Sequence, residues 1–289
     1  MPVVVVSDSS SRLPLDERKR WDIREVPLHV LIDGTDLRDG IDEIPFDIHD
    51  RPKVTTAGAS PAELVDTYRQ ALADSKGDGV VAVHLSAALS STYSAAATAA
   101  REFGASVRVV NSRSAAMGVG FIATAAAECA AAGGDIDAVE AAARSARTRS
   151  HVFLVVHRLD NLRRSGRIRT TASWLGTALS LKPLLCLDVD GRLVLDQRIR
   201  TVSKAHAALV ERVAEVVGER AADVVVHHVD NHDAADQLGA ALTQRLPQLS
   251  SLTVADMVKG VDRGFAIEHA VITHKAGGRS GEWTRSDDQ

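Results

Sequence analysis

Short apolar runs recur along this chain, and each hands over to a helical pattern. Val3-Val4-Val5-Val6, Val80-Val81-Ala82-Val83 and residues 152–156 all have strand length, and a strand is also expected at 107–110. Runs that stay apolar on both faces suit strands buried inside a sheet. Further strands are expected near 184–188, 193–197, 223–229 and 252–254. Helices are expected near 60–75, 90–103, 114–131, 135–148, 201–217 and 232–246. This alternation predicts an α/β fold in which a mainly parallel sheet carries helices on its faces. Val189-Asp190-Gly191-Arg192 reads as a hairpin turn, so the second half is expected to hold a mixed sheet. A chain of 289 residues has room for two domains. The division is expected at Arg149-Ser150, where the basic helix end RSARTRS meets a new strand. That gives domains 1–149 and 150–276, with a polar tail, 277–289, expected to be disordered.

The handover after Val83 is richest in chemistry. Residues 84–96 read HLSAALSSTYSAA, so Ser86, Ser90, Ser91 and Thr92 crowd the point where a strand becomes a helix. Unpaired N–H groups and the positive end of a helix dipole meet there, which favours a carboxylate or phosphate. The plainer reading is helix capping, for which one serine suffices. A second such place lies upstream in KVTTAGASP, where Ser60-Pro61 with Glu63 reads as an N-cap followed by proline at the first helical position. Thr55 and Thr56 precede it among small residues that let a ligand approach the backbone. Ser7-Asp8-Ser9-Ser10-Ser11 repeats the theme at the end of the first strand, and ligands of open α/β sheets collect at such strand ends.

These segments resemble the DegV family of bacterial fatty-acid-binding proteins, the acyl carriers that serve fatty-acid kinases. The D-S-T-like turn is Asp8-Ser9-Ser10. The T-S-x-P-S loop is Thr56-Ala57-Gly58-Ala59-Ser60, and S-S-G-L-S-G-T-Y is the run from Ser86 to Tyr93. A D-S element with a glycine pair matches Asn111-Ser112 and Gly118-Val119-Gly120, and L-x-R-G-G-R-I matches the run from Leu162 to Ile168. I-K-P-I-L matches Leu181 to Leu185, R-T-x-x-K-A matches Arg200 to Ala205, and H-x-D-N matches His228 to Asn231. The eight motifs run colinearly over about residues 3–246. Two departures stand out. Ala57 replaces the loop serine, and no G-P-G-A-L-G loop follows a histidine near the C-terminus. His269 and His274 are the candidates for that histidine; alternatively AIEHAVITH is the last strand and has no equivalent.

The resemblance implies a carrier with no catalytic residues of its own and a long-chain fatty acid as its ligand. The tail would lie in an apolar tunnel and the carboxylate between the domains, held by Thr56 and Ser90. A separate ATP-dependent fatty-acid kinase would make the acyl phosphate, and Arg167 would meet that phosphate or the kinase. Arg158, Arg163, Arg164 and Arg169 lie close by in sequence, and a solvated basic face is the ordinary fate of such a run. Two other classes remain open: an enzyme acting on a small carboxylate or phosphate ester, and a lipid-responsive interaction module.

Other features bound the reading. A net charge of −4 gives no general attraction for nucleic acid or an anionic membrane, although transient membrane contact is compatible with a lipid carrier. Cys129 and Cys186 sit in apolar contexts and read as buried small hydrophobes. No signal peptide or membrane-length apolar run is seen, so a cytoplasmic protein is expected, and a monomer because no sustained heptad occurs. No cofactor is expected. Gly118-Val119-Gly120-Phe121-Ile122-Ala123 matches a dinucleotide fingerprint but lies inside a helical pattern, so close helix packing explains it better. His227 and His228 are adjacent on a strand, point to opposite faces and do not suit one metal ion; no metal is expected.

Overall fold

The computed structural model describes residues 3–45, 48, 54–156, 162, 166–168, 182–229, 231–256 and 267–273. The chain opens with β1 (Val4–Asp8), α1 (Leu15–Arg20) and β2 (Arg24–Val26). Three short strands follow: β3 (His29–Ile32), β4 (Thr35–Arg38) and β5 (Val54–Ala57). Then come α2 (Pro61–Asp74), β6 (Val80–His84), α3 (Thr92–Ala100), β7 (Val107–Asn111), α4 (Met117–Ala131) and α5 (Ile136–Arg147). The second half runs β8 (His151–Val156), β9 (Leu184–Leu187), β10 (Leu193–Gln197), α6 (Val202–Val217), β11 (Asp223–His228), α7 (His232–Arg245), β12 (Ser251–Asp256) and β13 (Ile267–Thr273).

The first sheet is wholly parallel, in the order β2-β1-β6-β7. Every residue of β1 and β6 is buried. The C-terminal ends of these two central strands, Asp8 and His84, therefore face the same end of the sheet. The second sheet is mixed, in the order β10-β9-β8-β13-β11-β12, and only β11 and β12 run parallel. The expected mixed sheet is thus observed, with Gly191 at the β9–β10 turn in a left-handed conformation, φ 74°.

A third, antiparallel sheet, β4-β3-β5, departs from expectation. The segment holding Thr55 and Thr56 was expected as a loop but forms edge strand β5 of this sheet. Its four residues are mostly exposed, so no apolar alternation marked it. β13 answers the question left open at AIEHAVITH: it is a strand, lodged between β8 and β11, with His269 in register with Leu154 and His227. His274 and the tail 277–289 lie outside the described residues.

Helix α4 joins the two halves. It packs against Val3, Val5, Val81, Val83 and Val110 of the first sheet and also meets Val152 and Val225 of the second. A helix covered from both sides must be small and apolar nearly all round, which accounts for its run of alanines. A Cβ on Gly118 would stand 2.9 Å from Val152 Cγ2, and one on Gly120 would stand 2.8 Å from the Ser11 carbonyl. The glycine pair is there for close packing, as expected. Each fully buried valine or leucine in such a core contributes about 1.5–3 kcal/mol. Local signals set the helix starts: Ser60 and Glu63 form a capping box at α2, Asp135 caps α5 and Thr201 caps α6.

Candidate functional site

The ends of β1 and β6 are tied together beneath the hydroxyl-rich loop. Asp8 Oδ2 accepts from His84 Nδ1 at 2.9 Å and from the Leu85 N–H at 3.0 Å. Asp8 Oδ1 accepts from the Ser10 N–H at 3.1 Å and from the Ser10 hydroxyl. His84 Nε2 lies 2.7 Å from the Tyr68 hydroxyl. Asp8, His84 and Tyr68 are all 0 % exposed. Burial alone would raise the Asp8 pKa, but the His84 and Ser10 hydrogen bonds and the Leu85 amide hold it below its ordinary value. Burial pushes the Tyr68 phenol up, so its proton stays in place to donate to Nε2. Sequence reasoning noticed Asp8 only as part of a turn. A histidine at the end of a buried valine run was the signal for His84; none pointed to Tyr68.

The serine turn after β1 is scaffold. Ser7 donates to the Val83 carbonyl at 3.0 Å. Ser9 donates to Asp39 Oδ2 at 2.8 Å and accepts from the Leu28 N–H at 3.0 Å. Ser11 accepts from the Leu13 N–H. Arg12 completes the knot with a 3.0 Å ion pair to Asp39. Hydroxyls already engaged in this way have little left for a ligand.

Ser86 also turns inward. It is 0 % exposed and donates to the Gly191 carbonyl at 2.8 Å, across to the β9–β10 hairpin. Arg113 donates to the Val189 carbonyl at 3.0 Å in the same hairpin. Gly191 fits because a Cβ there would stand 2.3 Å from Ser86 Oγ and 2.6 Å from Arg113 Cα. Asn111 Oδ1 accepts from both the Ala87 and the Arg113 amides, holding the two loops at one spacing.

Ser90 is half-buried. It accepts from the Thr92 N–H at 3.2 Å and shares a 2.9 Å hydrogen bond with Thr92 Oγ1. The capping reading therefore holds in part: Ser90 closes the first turn of α3 from outside it. Thr56 is exposed on β5 opposite Val30, and its hydroxyl meets no hydrogen-bond partner among the described residues. The two segments come together at Gly58, where a Cβ would stand 2.7 Å from Thr92 Oγ1 and 3.2 Å from Ser91 Oγ. Arg167 joins this group, its Nε donating to the Leu89 carbonyl at 3.3 Å. Its side chain thus reaches the hydroxyl loop. Arg158, Arg163, Arg164 and Arg169 lie outside the described residues. Leu89 packs beside Val156, Ile168, Leu185 and Leu193, an apolar cluster adjoining the loop.

His29 anchors the Thr56 strand. Its Nδ1 lies 2.8 Å from Asp36 Oδ1 on β4 and its Nε2 2.8 Å from Glu63 Oε2 in the first turn of α2. A ring with a carboxylate at each nitrogen donates from both only as the imidazolium. Burial opposes that form, but Glu63 and Asp36 outweigh it and raise the pKa. On β11, both His227 and His228 are buried, and His228 Nε2 lies 3.3 Å from His232 Nδ1. Among the described residues no group of three metal-binding side chains occurs. Cys129 and Cys186 are free and half-buried rather than fully buried, and burial with nearby Asp196 pushes the Cys186 thiol up to about 11. No described helix is long and apolar enough to cross a membrane.

Comparison with known proteins gives consistent relatives. The model of an uncharacterised protein family, DegV, matches residues 2–264. A DegV domain-containing protein of Mycobacterium tuberculosis is 59 % identical over 257 residues, covering 89 % of this chain and 91 % of the relative. One of Streptomyces coelicolor is 39 % identical, covering 94 % and 99 %. Among solved structures, a fatty-acid-binding DegV family protein from Thermus thermophilus superposes with a TM-score of 0.86 at 29 % identity, covering 95 % of this chain and 100 % of that one. DegV of Bacillus subtilis, described as a fatty acid binding protein, gives 0.82 at 25 %, covering 95 % and 100 %.

Proposed function

This chain belongs to the DegV family, and from that membership we propose that it binds a long-chain fatty acid and presents the carboxylate to a separate ATP-dependent fatty-acid kinase. The observation that carries the reading is the likeness, over nearly the whole chain, to a DegV protein that binds fatty acid. The geometry of the head-group site supports it. Hydroxyls of the turn after β1 are consumed by the fold, whereas Thr56 and Ser90 stand on two segments that meet at Gly58 with capacity left for an acceptor. A carboxylate leaves water without a large penalty only when several donors replace it. Thr56 and Ser90 are the residues we assign to it.

The acyl tail would follow the apolar cluster of Leu89, Val156, Ile168, Leu185 and Leu193, which adjoins the hydroxyl loop. The carboxylate would then sit between the domains, taken as residues 1–149 and 150–276. Arg167 is suited to the product. A phosphoryl group on the carboxylate carries more charge and more acceptor oxygens than the free acid, which matches a guanidinium fork. Catalysis belongs to the kinase, which transfers the phosphoryl group of ATP to the presented carboxylate. Protein purified from a bacterial host is expected to carry a fatty acid at near-stoichiometric level, read by denaturing extraction and mass spectrometry. An empty protein that also fails to bind added oleate or palmitate would overturn the reading.

A further inference from the structure

A second place with unanswered chemistry lies at the basic helix end after α5. Thr148, Arg149 and His151 form one wall of a small cleft, and Val216, Val217, Arg220 and Ala222, at the end of α6, form the other. Its interior volume is ≈ 50 Å³. It shares no lining residue with the hydroxyl loop. Three basic side chains line it, and none of its described lining residues is acidic.

The three groups differ in how they are held. Arg220 is fixed by its own helix, donating from Nε to the Val217 carbonyl at 3.2 Å and from Nη2 to the Val216 carbonyl. Its Nη1 has no such engagement among the described residues. Among the described residues, the buried Nε of Arg149 has no hydrogen-bond partner. A buried donor left unmatched in a native fold calls for a partner, and a bound ion is one of the few kinds available. His151 is half-buried, and its pKa is lowered first by burial and then by Arg220 and Arg212. Arg212 differs from Arg149 in its ion pairs, with Asp196 at 3.3 Å and Glu215 at 2.8 Å. Like charges gathered around one cleft repel, and an anion in the cleft turns that repulsion into attraction.

We propose that this cleft is a binding site for a phosphate group, held by Arg149, His151 and Arg220. Guanidinium forks match the oxygens of a phosphate, and an imidazole beside them can take up a proton as the anion enters. The cleft admits the group itself, whether as free phosphate or as the end of a phosphate-bearing lipid.

The test uses the full chain and two probes. Inorganic phosphate is titrated against chloride at matched ionic strength, with heat of binding and the His151 ring signals in NMR as readouts. Saturable heat and a rise in the His151 titration midpoint are expected. Arg149→Gln is expected to weaken phosphate binding roughly tenfold or more while leaving fatty-acid binding unchanged. His151→Gln serves as a second variant, expected to abolish proton uptake. Phosphatidic acid vesicles, against phosphatidylcholine vesicles, form the other arm. Vesicle binding lost in Arg149→Gln, without a response to inorganic phosphate, identifies a lipid-borne phosphate. No response to either probe, or one unchanged in Arg149→Gln, overturns the proposal and leaves these arginines as helix-end caps.

Discussion

The carboxylate of Asp8 and the imidazole of His84 meet at 2.9 Å with neither side chain reaching solvent, and they lock the ends of the two central parallel strands together. The hydroxyl loop begins one residue later, and its first amide, Leu85, donates to the same carboxylate. The loop is therefore positioned by a buried carboxylate. Removing one partner leaves the other buried and unmatched, so Asp8→Ala is expected to cost about 3–5 kcal/mol in urea unfolding. The pH dependence has a definite sign. A carboxyl held below its ordinary 3.8 stabilises the fold above that pH, and this is lost as pH falls through the lower folded value. Asp8→Asn should flatten the acid limb of stability against pH; an unchanged limb would show that other carboxyls govern it.

Thr56 and Ser90 should separate by their stability cost. Thr56→Val and Ser90→Ala are each expected to weaken fatty-acid binding roughly tenfold to a hundredfold, as for a hydrogen bond to a charged group. Ser90 also accepts the Thr92 amide, so Ser90→Ala should lower stability by about 1 kcal/mol, while Thr56→Val should not. Normal affinity in both, measured by fluorescent fatty-acid displacement, would return these hydroxyls to structure alone.

Gly191→Ala tests the clasp between the halves. The added methyl would meet Ser86 Oγ and the Arg113 backbone, at a residue whose φ of 74° already disfavours a side chain. A loss of about 1–3 kcal/mol is expected, with faster amide exchange over residues 85–92. Unchanged exchange there would mean that the hairpin rests on the loop without shaping it.

His29 makes stability fall in the alkaline direction. Its pKa is raised above 6.5, so its contribution is full below 6.5 and is lost as pH rises through the folded value. Wild-type stability measured against His29→Gln across that range should show the difference shrinking with pH. A difference that stays constant would mean that the ring is neutral and one of its two contacts is not a hydrogen bond.

Arg167→Ala should leave fatty-acid affinity nearly intact while depressing phosphorylation of the bound acid by a cognate kinase. A loss at low carrier concentration alone would indicate docking, and a loss at saturation would indicate support of the forming phosphate. Identical kinetics would assign Arg167 to its contact with the Leu89 carbonyl only.

Much of this protein was readable from local chemistry. Valine runs announced β1 and β6, because a strand buried on both faces must be apolar throughout. Ser60-Pro61 with Glu63 announced the start of α2, because the capping box is closed by residues three apart. Colinear motifs carried the family. Local patterns could not show which hydroxyls were spent. Ser86 and Ser90 look alike in HLSAALSSTY, yet one is fully buried against Gly191, 105 positions away, and the other stays half-exposed at the helix start. The short strands β4 and β5 escaped notice for a related reason: an exposed edge strand has no apolar period to read. The links from Asp8 to His84 and from His84 to Tyr68 join residues 76 and 16 positions apart. Sequence determined which segments bury themselves and where helices begin, since those depend on near neighbours. Only the packed structure decided which polar groups answer one another, because in a closed core a hydrogen bond goes to whichever partner the sheet order brings within reach.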